Sequence, residues 1–203
     1  MHMSFRRFYR ILAGGLVAAS IALDLLGPLR AQEKSATDAQ EKQLSAVEEK
    51  LMQEAKERSV RAEGCHRQGK LAEAEKEFRA VLVICERVLG PEHPDTLASR
   101  HNLASVLGAQ GKLTEAEEEL RAVLAIRERV LGPMHPNVFR TCFNLALALR
   151  GRAKSPEALE FARRAEDGFL AVWGAQHPDA KVARELRKAI QWDMKAPPPP
   201  PAK

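Results

Sequence analysis

Aromatic residues make up only 5% of this 203-residue sequence, with one Tyr and two Trp. Without a basic stripe interleaved with aromatics, a nucleic-acid surface is excluded. Cysteine is scarce as well. Cys65, Cys85 and Cys142 are odd in number and have no CxxC or Cys/His metal spacing. Each sits in an apolar helical pattern and reads as a small buried thiol. No run of alternating Val, Ile and Thr is long enough for a strand. No GxxxxGK[ST], GxGxxG or HExxH occurs. "GAQGKLT" at 108–114 contains GKLT, but helix precedes it where a phosphate loop needs a strand. No large excess of one charge is present in the body either. The net charge is +5, of which residues 1–31 carry +3 through Arg6, Arg7, Arg10 and Arg30 against Asp24. The remaining +2 is not the field that phosphate backbones select.

What is abundant is Ala, Leu, Glu, Arg and Lys, a helix-forming mix with 45% apolar and 29% charged residues. The length suits one domain with a sizeable core. At the start, "MHMSFRRFYR" is basic and "ILAGGLVAASIAL" is a 13-residue apolar run that Asp24 interrupts. That is the length of a signal peptide; a membrane span needs roughly 20 apolar residues. Ser20 and Ala22 offer a cleavage site, and Ala31 a second one. Arg6–Arg7 before "FYR" is only a partial twin-arginine match. Residues 1–31 are therefore expected to be a signal peptide or an N-terminal anchor. The protein is then exported, or attached to a membrane through residues 11–29.

An internal repeat dominates the rest. "GKLAEAEKEFRAVLVICERVLGPEHPDTLASRHNLASVLGAQ" (69–110) and "GKLTEAEEELRAVLAIRERVLGPMHPNVFRTCFNLALALRGR" (111–152) share 24 identities in 42 positions. A worn third copy, "KSPEALEFARRAEDGFLAVWGAQHPDA", follows. A period between 20 and 50 residues is the signature of stacked units. Each unit reads as two helices. Leu113, Ala116, Leu120, Val123, Leu124 and Val130 make one apolar face. Gly132 is expected to close that helix in the left-handed conformation, and Pro133 cannot continue it. Pro136 suits the first position of the next helix, which carries Phe139, Cys142, Phe143, Leu145, Ala146 and Leu149. Ser155 is expected to cap the last unit's first turn, with Pro156 and Glu157 behind it. The spacing predicts helix pairs at 46–67/70–89, 94–109/112–131 and 136–151/155–173, with a capping helix at 178–193. One unit cannot bury its own apolar face; stacking does.

The flanks are polar. Residues 32–51 read as a helical linker, either extending the first helix or forming a short coiled coil through Leu44, Val47 and Leu51. The proline-rich tail, 194–203, reads as a solvated spacer.

The histidine of "LGPEHP" returns in "LGPMHP" and "WGAQHP" as His93, His135 and His177. Zinc would need all three within about 2.0–2.1 Å of one ion. Members of successive packed layers stand roughly 8–10 Å apart or more. As bases they lack a recurring nucleophile and third partner. They read as linker geometry, with no catalytic residue, metal or cofactor. The acidic run Glu115 and Glu117 to Glu119 reads as a solvated helix face. So do the charged ends, with Lys56, Glu57, Arg58 and Arg61 first and Arg184, Glu185, Arg187 and Lys188 last.

"NLA" at 102–104 and 144–146, "QGK" at 68–70 and 110–112, "EA" at 73–74, 115–116 and 157–158, and "LGPxHP" together resemble the tetratricopeptide repeat. The 42-residue period is similar to the kinesin-light-chain type of that family. The resemblance spans about 52–192, with units at about 52–93, 94–135 and 136–177 and the cap at 178–193. Arg61 stands where "NLA" places Leu, and "GRAK" replaces "QGK" in the third unit. The resemblance implies an all-α fold, a right-handed α-solenoid of stacked antiparallel helix pairs. It implies a non-enzymatic scaffold whose first helices line a concave groove for a partner peptide. It places Asn102 and Asn144 in that groove, either meeting peptide backbone or bracing helices. One turn away the same face shows His101, Ser105, Arg140, Phe143 and Leu147, and in the first unit Lys56, Ser59 and Glu63. The alternative is a self-associating structural protein of the cell envelope. A hydrolase or metal enzyme built on the repeated histidines is the least favoured.

Overall fold

The computed structural model describes residues 27–195, with side chains described from residue 40 onward. The expected signal segment and the proline run fall largely outside these residues. Seven helices and no strand occur among the described residues. They are α1 (Gly27–Arg67), α2 (Leu71–Val88), α3 (Pro94–Ala109), α4 (Leu113–Leu131), α5 (Pro136–Gly151), α6 (Ser155–Trp173) and α7 (Pro178–Lys195). Each packs on its sequence neighbours, while α5 also touches α3 and α7. The result is a row of helix pairs, two layers deep. The 32–51 segment runs without a break into the first helix of the array. No helix among the described residues is long and apolar enough to cross a membrane.

Small side chains set how closely these helices approach. Ala62, Ala104 and Ala146 recur one period apart and are all fully buried, as are Ala74, Ala116 and Ala158. The first set lies on the first helices, the second on the helices packed against them. Between them Phe78, Leu103, Leu107, Leu120, Leu145, Leu149 and Ile190 fill the core, each side chain stabilising by about 1.5–3 kcal/mol. Val130, expected on the apolar face of α4, is instead exposed. Gly168 is set by a close approach, since a β-carbon there would lie 2.3 Å from the Phe139 ring.

Two kinds of turn alternate. Within a unit, Gly69 and Gly111 take positive φ, and the N–H of the following Lys70 or Lys112 donates five residues back, to Cys65 O or Leu107 O at 2.9 Å. This closes a helix end in the Schellman manner. Between units the expectation for Gly132 needs correction. Its φ of 86° is positive, but ψ is 155°. That is the extended region open essentially to glycine alone, outside the left-handed helical well. The expected Ser155 cap is also absent: Lys154 holds the cap position without a side-chain bond, and Ser155 is already helical.

The three linker histidines cap helices. Nδ1 of His93, His135 and His177 accepts the backbone N–H of Asp95, Asn137 and Asp179 at 3.2, 3.1 and 3.2 Å. Each therefore satisfies one of the orphan donors that every helix start exposes. The backbone N–H of each of these histidines also donates back to the glycine carbonyl three residues earlier, Gly90, Gly132 or Gly174.

The acidic run is not a solvated face throughout. Glu117 is 5% exposed and accepts from Lys154 at 2.9 Å, Arg152 at 2.5 Å and Arg121 at 3.1 Å. Burial pushes its carboxyl upward, but these three cations outweigh that and hold it below the usual carboxylate range. One period earlier Lys112 reaches Glu75 at 2.8 Å. The turn lysine of one unit thus ties back to the preceding unit. At the far end, Arg184 and Arg187 bind the buried Glu166 and are not part of a wet outer face.

Candidate functional site

The first helices of the second and third units, α3 and α5, lie side by side with the cap α7 beyond them. Their shared face encloses a cavity of about 210 Å³, lined by His101, Arg140, Phe143, Asn144, Phe169, Asp179 and Val182. Four of the residues read from the sequence, His101, Arg140, Phe143 and Asn144, converge here. Asn102 and Ser105 are half-buried on α3, and Leu147 is exposed on α5. Lys56 and Glu63 are exposed and Ser59 half-buried on α1. None of these six lines the cavity.

The Asn144 amide nitrogen lies 3.0 Å from Nε2 of His101, a bond that braces α5 against α3. The other ring nitrogen, Nδ1, is buried without a hydrogen-bond partner among the described residues. Burial is the main reason the His101 pKa falls to about 3, with Arg127 and Arg140 adding to it. The imidazole is therefore neutral at ordinary pH.

Arg127 rises from α4 and is 4% exposed. It donates to Thr141 Oγ1 at 2.8 Å, Asn137 O at 3.2 Å and Leu97 O at 3.3 Å. All three acceptors are neutral, and Arg127 forms no ion pair among the described residues. Burial first, and Arg140 second, lower its pKa to about 10, so it stays charged. Arg140 stands at the rim. Its guanidinium donates to Asp179 at 3.4 Å and lies 5.9 Å from the centre of the Trp173 ring. Trp173 stacks on Phe169 with ring centres 5.3 Å apart. Phe169 meets Phe139 edge-on at 6.0 Å.

Sequence reasoning missed Phe169, Asp179 and Val182 of the lining, and the buried Arg127. A signal was available: Cys85, Arg127 and Phe169 stand one period apart. A position that changes from thiol to guanidinium to phenyl within a repeat whose core is otherwise kept differs in task from unit to unit. Nothing in the arrangement places a nucleophile beside a base. Apolar walls with a few convergent polar groups suit the binding of a ligand side chain.

The tetratricopeptide repeat model matches residues 57–127 and again 100–171. No curated protein matches the chain. Similar solved structures include a Podosopora anserina protein described as a kinesin light chain with nearly identical TPR-like repeats. It is 25% identical, covering 86% of this chain and 100% of that one, with a TM-score of 0.52. BtubC (BKLC) from P. vanneervenii is 18% identical over 73% of this chain and 67% of its own, with a TM-score of 0.52, a likeness of fold. The repeated helix pairs, the 42-residue period and the family match agree: the chain belongs to the tetratricopeptide repeat family, with units of the kinesin-light-chain type.

Proposed function

We propose that this protein is a non-catalytic interaction module that holds a segment of a partner protein along the face built by α1, α3, α5 and α7. Tetratricopeptide repeats in general mediate protein–protein interaction. The observation that carries the reading here is the cavity on that face. Phe143, Phe169 and Val182 supply apolar wall, while His101, Asn144 and Arg140 supply polar groups. A peptide side chain entering it would lose apolar surface to water and find donors and acceptors at fixed positions.

The test is capture of partners from an extract of the source cells by the wild-type chain and by the combined variant Asn102→Ala, Asn144→Ala, Arg140→Glu. Partners should be lost from the variant while its helical circular dichroism is unchanged. Partners retained in full would reject this face as the site. We also infer export, from the basic start and the 13-residue apolar run before Asp24. The intact mass of the mature protein checks it: a chain that keeps all of residues 1–31 and fractionates without membrane would refute it.

A further inference from the structure

We propose that the junction between the second and third units is acid-sensitive: a proton on His135 removes the cap of α5, and at this junction, alone among the three, nothing replaces it. The inference goes beyond the groove reading above and stands without it.

The cap works in one protonation state only. Nδ1 of His135 accepts the Asn137 N–H at 3.1 Å, so it must keep its lone pair. A proton there turns the acceptor into a donor that faces another donor. Imidazole is the side chain that ordinarily changes charge between about pH 5 and 8. A positive ring is also misplaced at a helix start, where the backbone already presents its positive end.

The other two junctions give a protonated ring something in exchange. At the first, the Asp95 carboxylate lies 3.8 Å from Nδ1 of His93, so the lost cap becomes an ion pair. At the third, His177 lies against the Trp173 ring with centres 4.4 Å apart, and an indole face attracts a cation. At the second, Asn137 stands where the others have Asp95 and Asp179, and Leu131 stands where the third has Trp173. Neither an amide N–H nor an isobutyl group takes up the charge.

The charged groups around this junction do not supply the missing anion. Arg127 of α4 donates to the Asn137 carbonyl and to Thr141, which puts a buried cation in the first turn of α5. Arg129 of α4 is bound to Glu92, Arg164 of α6 to Glu128 of α4, and Arg140 of α5 to Asp179 of α7. Asp167 of α6 lines the recess under Pro133 and Met134. None of these carboxylates forms an ion pair with His135 among the described residues. The cap favours the neutral ring, so its contribution is full above the ordinary imidazole value of about 6.5 and is lost as pH falls below it. Across the same junction α3 and α5 meet through His101 and Asn144 and wall the cavity, so acid that frees the start of α5 loosens that wall.

The experiment is urea unfolding of the full chain at about pH 7.5 and about pH 5.5, both above the range in which Glu75 takes its proton. Wild type is compared with His135→Asn, Asn137→Asp and His93→Asn. The buried, neutral His101 lowers stability on acidification in all four alike, so the differences between them carry the result. His135→Asn keeps a capping oxygen at either pH, and Asn137→Asp offers a protonated His135 the carboxylate that the first junction has. Between the two pH values the folding equilibrium constant of wild type should fall about fivefold further than that of either variant, the worth of one cap. His93→Asn should fall as far as wild type. An equal fall in wild type and His135→Asn overturns the proposal, and so does an Asn137→Asp chain that falls as far as wild type. Amide hydrogen exchange locates the effect: at about pH 5.5 the Asn137 N–H should lose protection while Asp95 and Asp179 keep theirs. Loss at all three junctions alike would refute a switch confined to this one.

Discussion

Ala153 stands one period after Gly111, and both hold positive φ, 58° and 81°. The third unit keeps the turn of the first two without keeping its glycine. For an alanine that backbone costs about 1–2 kcal/mol, because Cβ crowds the following carbonyl.

Ala153→Gly should therefore stabilise the fold. The gain is about 0.5–1 kcal/mol, since the more flexible glycine chain loses more entropy on folding. Gly111→Ala, with nothing within 4 Å of the added carbon, should cost about 1 kcal/mol through the backbone alone. Urea denaturation of the two variants measures both. A Gly variant no more stable than wild type would mean that the turn is relaxed at position 153.

The linker histidines give a second test. His135→Ala removes the acceptor from the Asn137 N–H and should cost about 1 kcal/mol. His135→Asn should restore most of it, because an amide oxygen at the cap position accepts the same bond. Equal loss in both variants would leave the histidine as spacer only. Thermal melts of the pair against wild type decide the matter.

Glu75 gives a pH dependence. The hydrogen bond from Lys112, opposed by burial and aided by Arg79 and Gln110, lowers its pKa from 4.5 to about 2. Folding thus favours the ionised form. Its contribution is full above about pH 4.5 and is lost as pH falls towards about 2, where the folded carboxylate also takes a proton. Glu75→Gln should be less stable than wild type at about pH 6, and the gap should shrink by about pH 3. Urea midpoints at the two pH values read this directly. A gap that stays constant would show that the Lys112 contact carries no such linkage.

Much of the fold was legible because repetition puts the same physics on the page several times. Gly-Pro marks the two breaks between the three units, Gly174-Ala175 stands at the one before the cap, and the predicted helix ends at 109, 131, 151 and 173 coincide with those observed. Half of the cavity was legible too, since Asn144 and its neighbours share one face of α5. The failures have physical causes. The histidine caps escaped because imidazole is not among the preferred capping groups, although its Nδ1 reaches the same N–H. Glu117 looked solvated because its partners, Arg152 and Lys154, lie a full unit further along the chain. Ser155 looked like a cap, but the Schellman closure at Ala153 puts the helix boundary one residue earlier.

By itself, then, the sequence determined the 42-residue period, the helix ends and most of the buried stripe, all consequences of local periodicity and of Gly and Pro backbone limits. Only the tertiary structure decided which side chains meet. It brought Arg127 of α4 to the Leu97 carbonyl of α3, put Phe169 and Arg140 around one cavity, and left Nδ1 of His101 without a hydrogen-bond partner among the described residues. Those meetings depend on how one helix pair is seated on the next, and the spacing within a single unit carries no record of that.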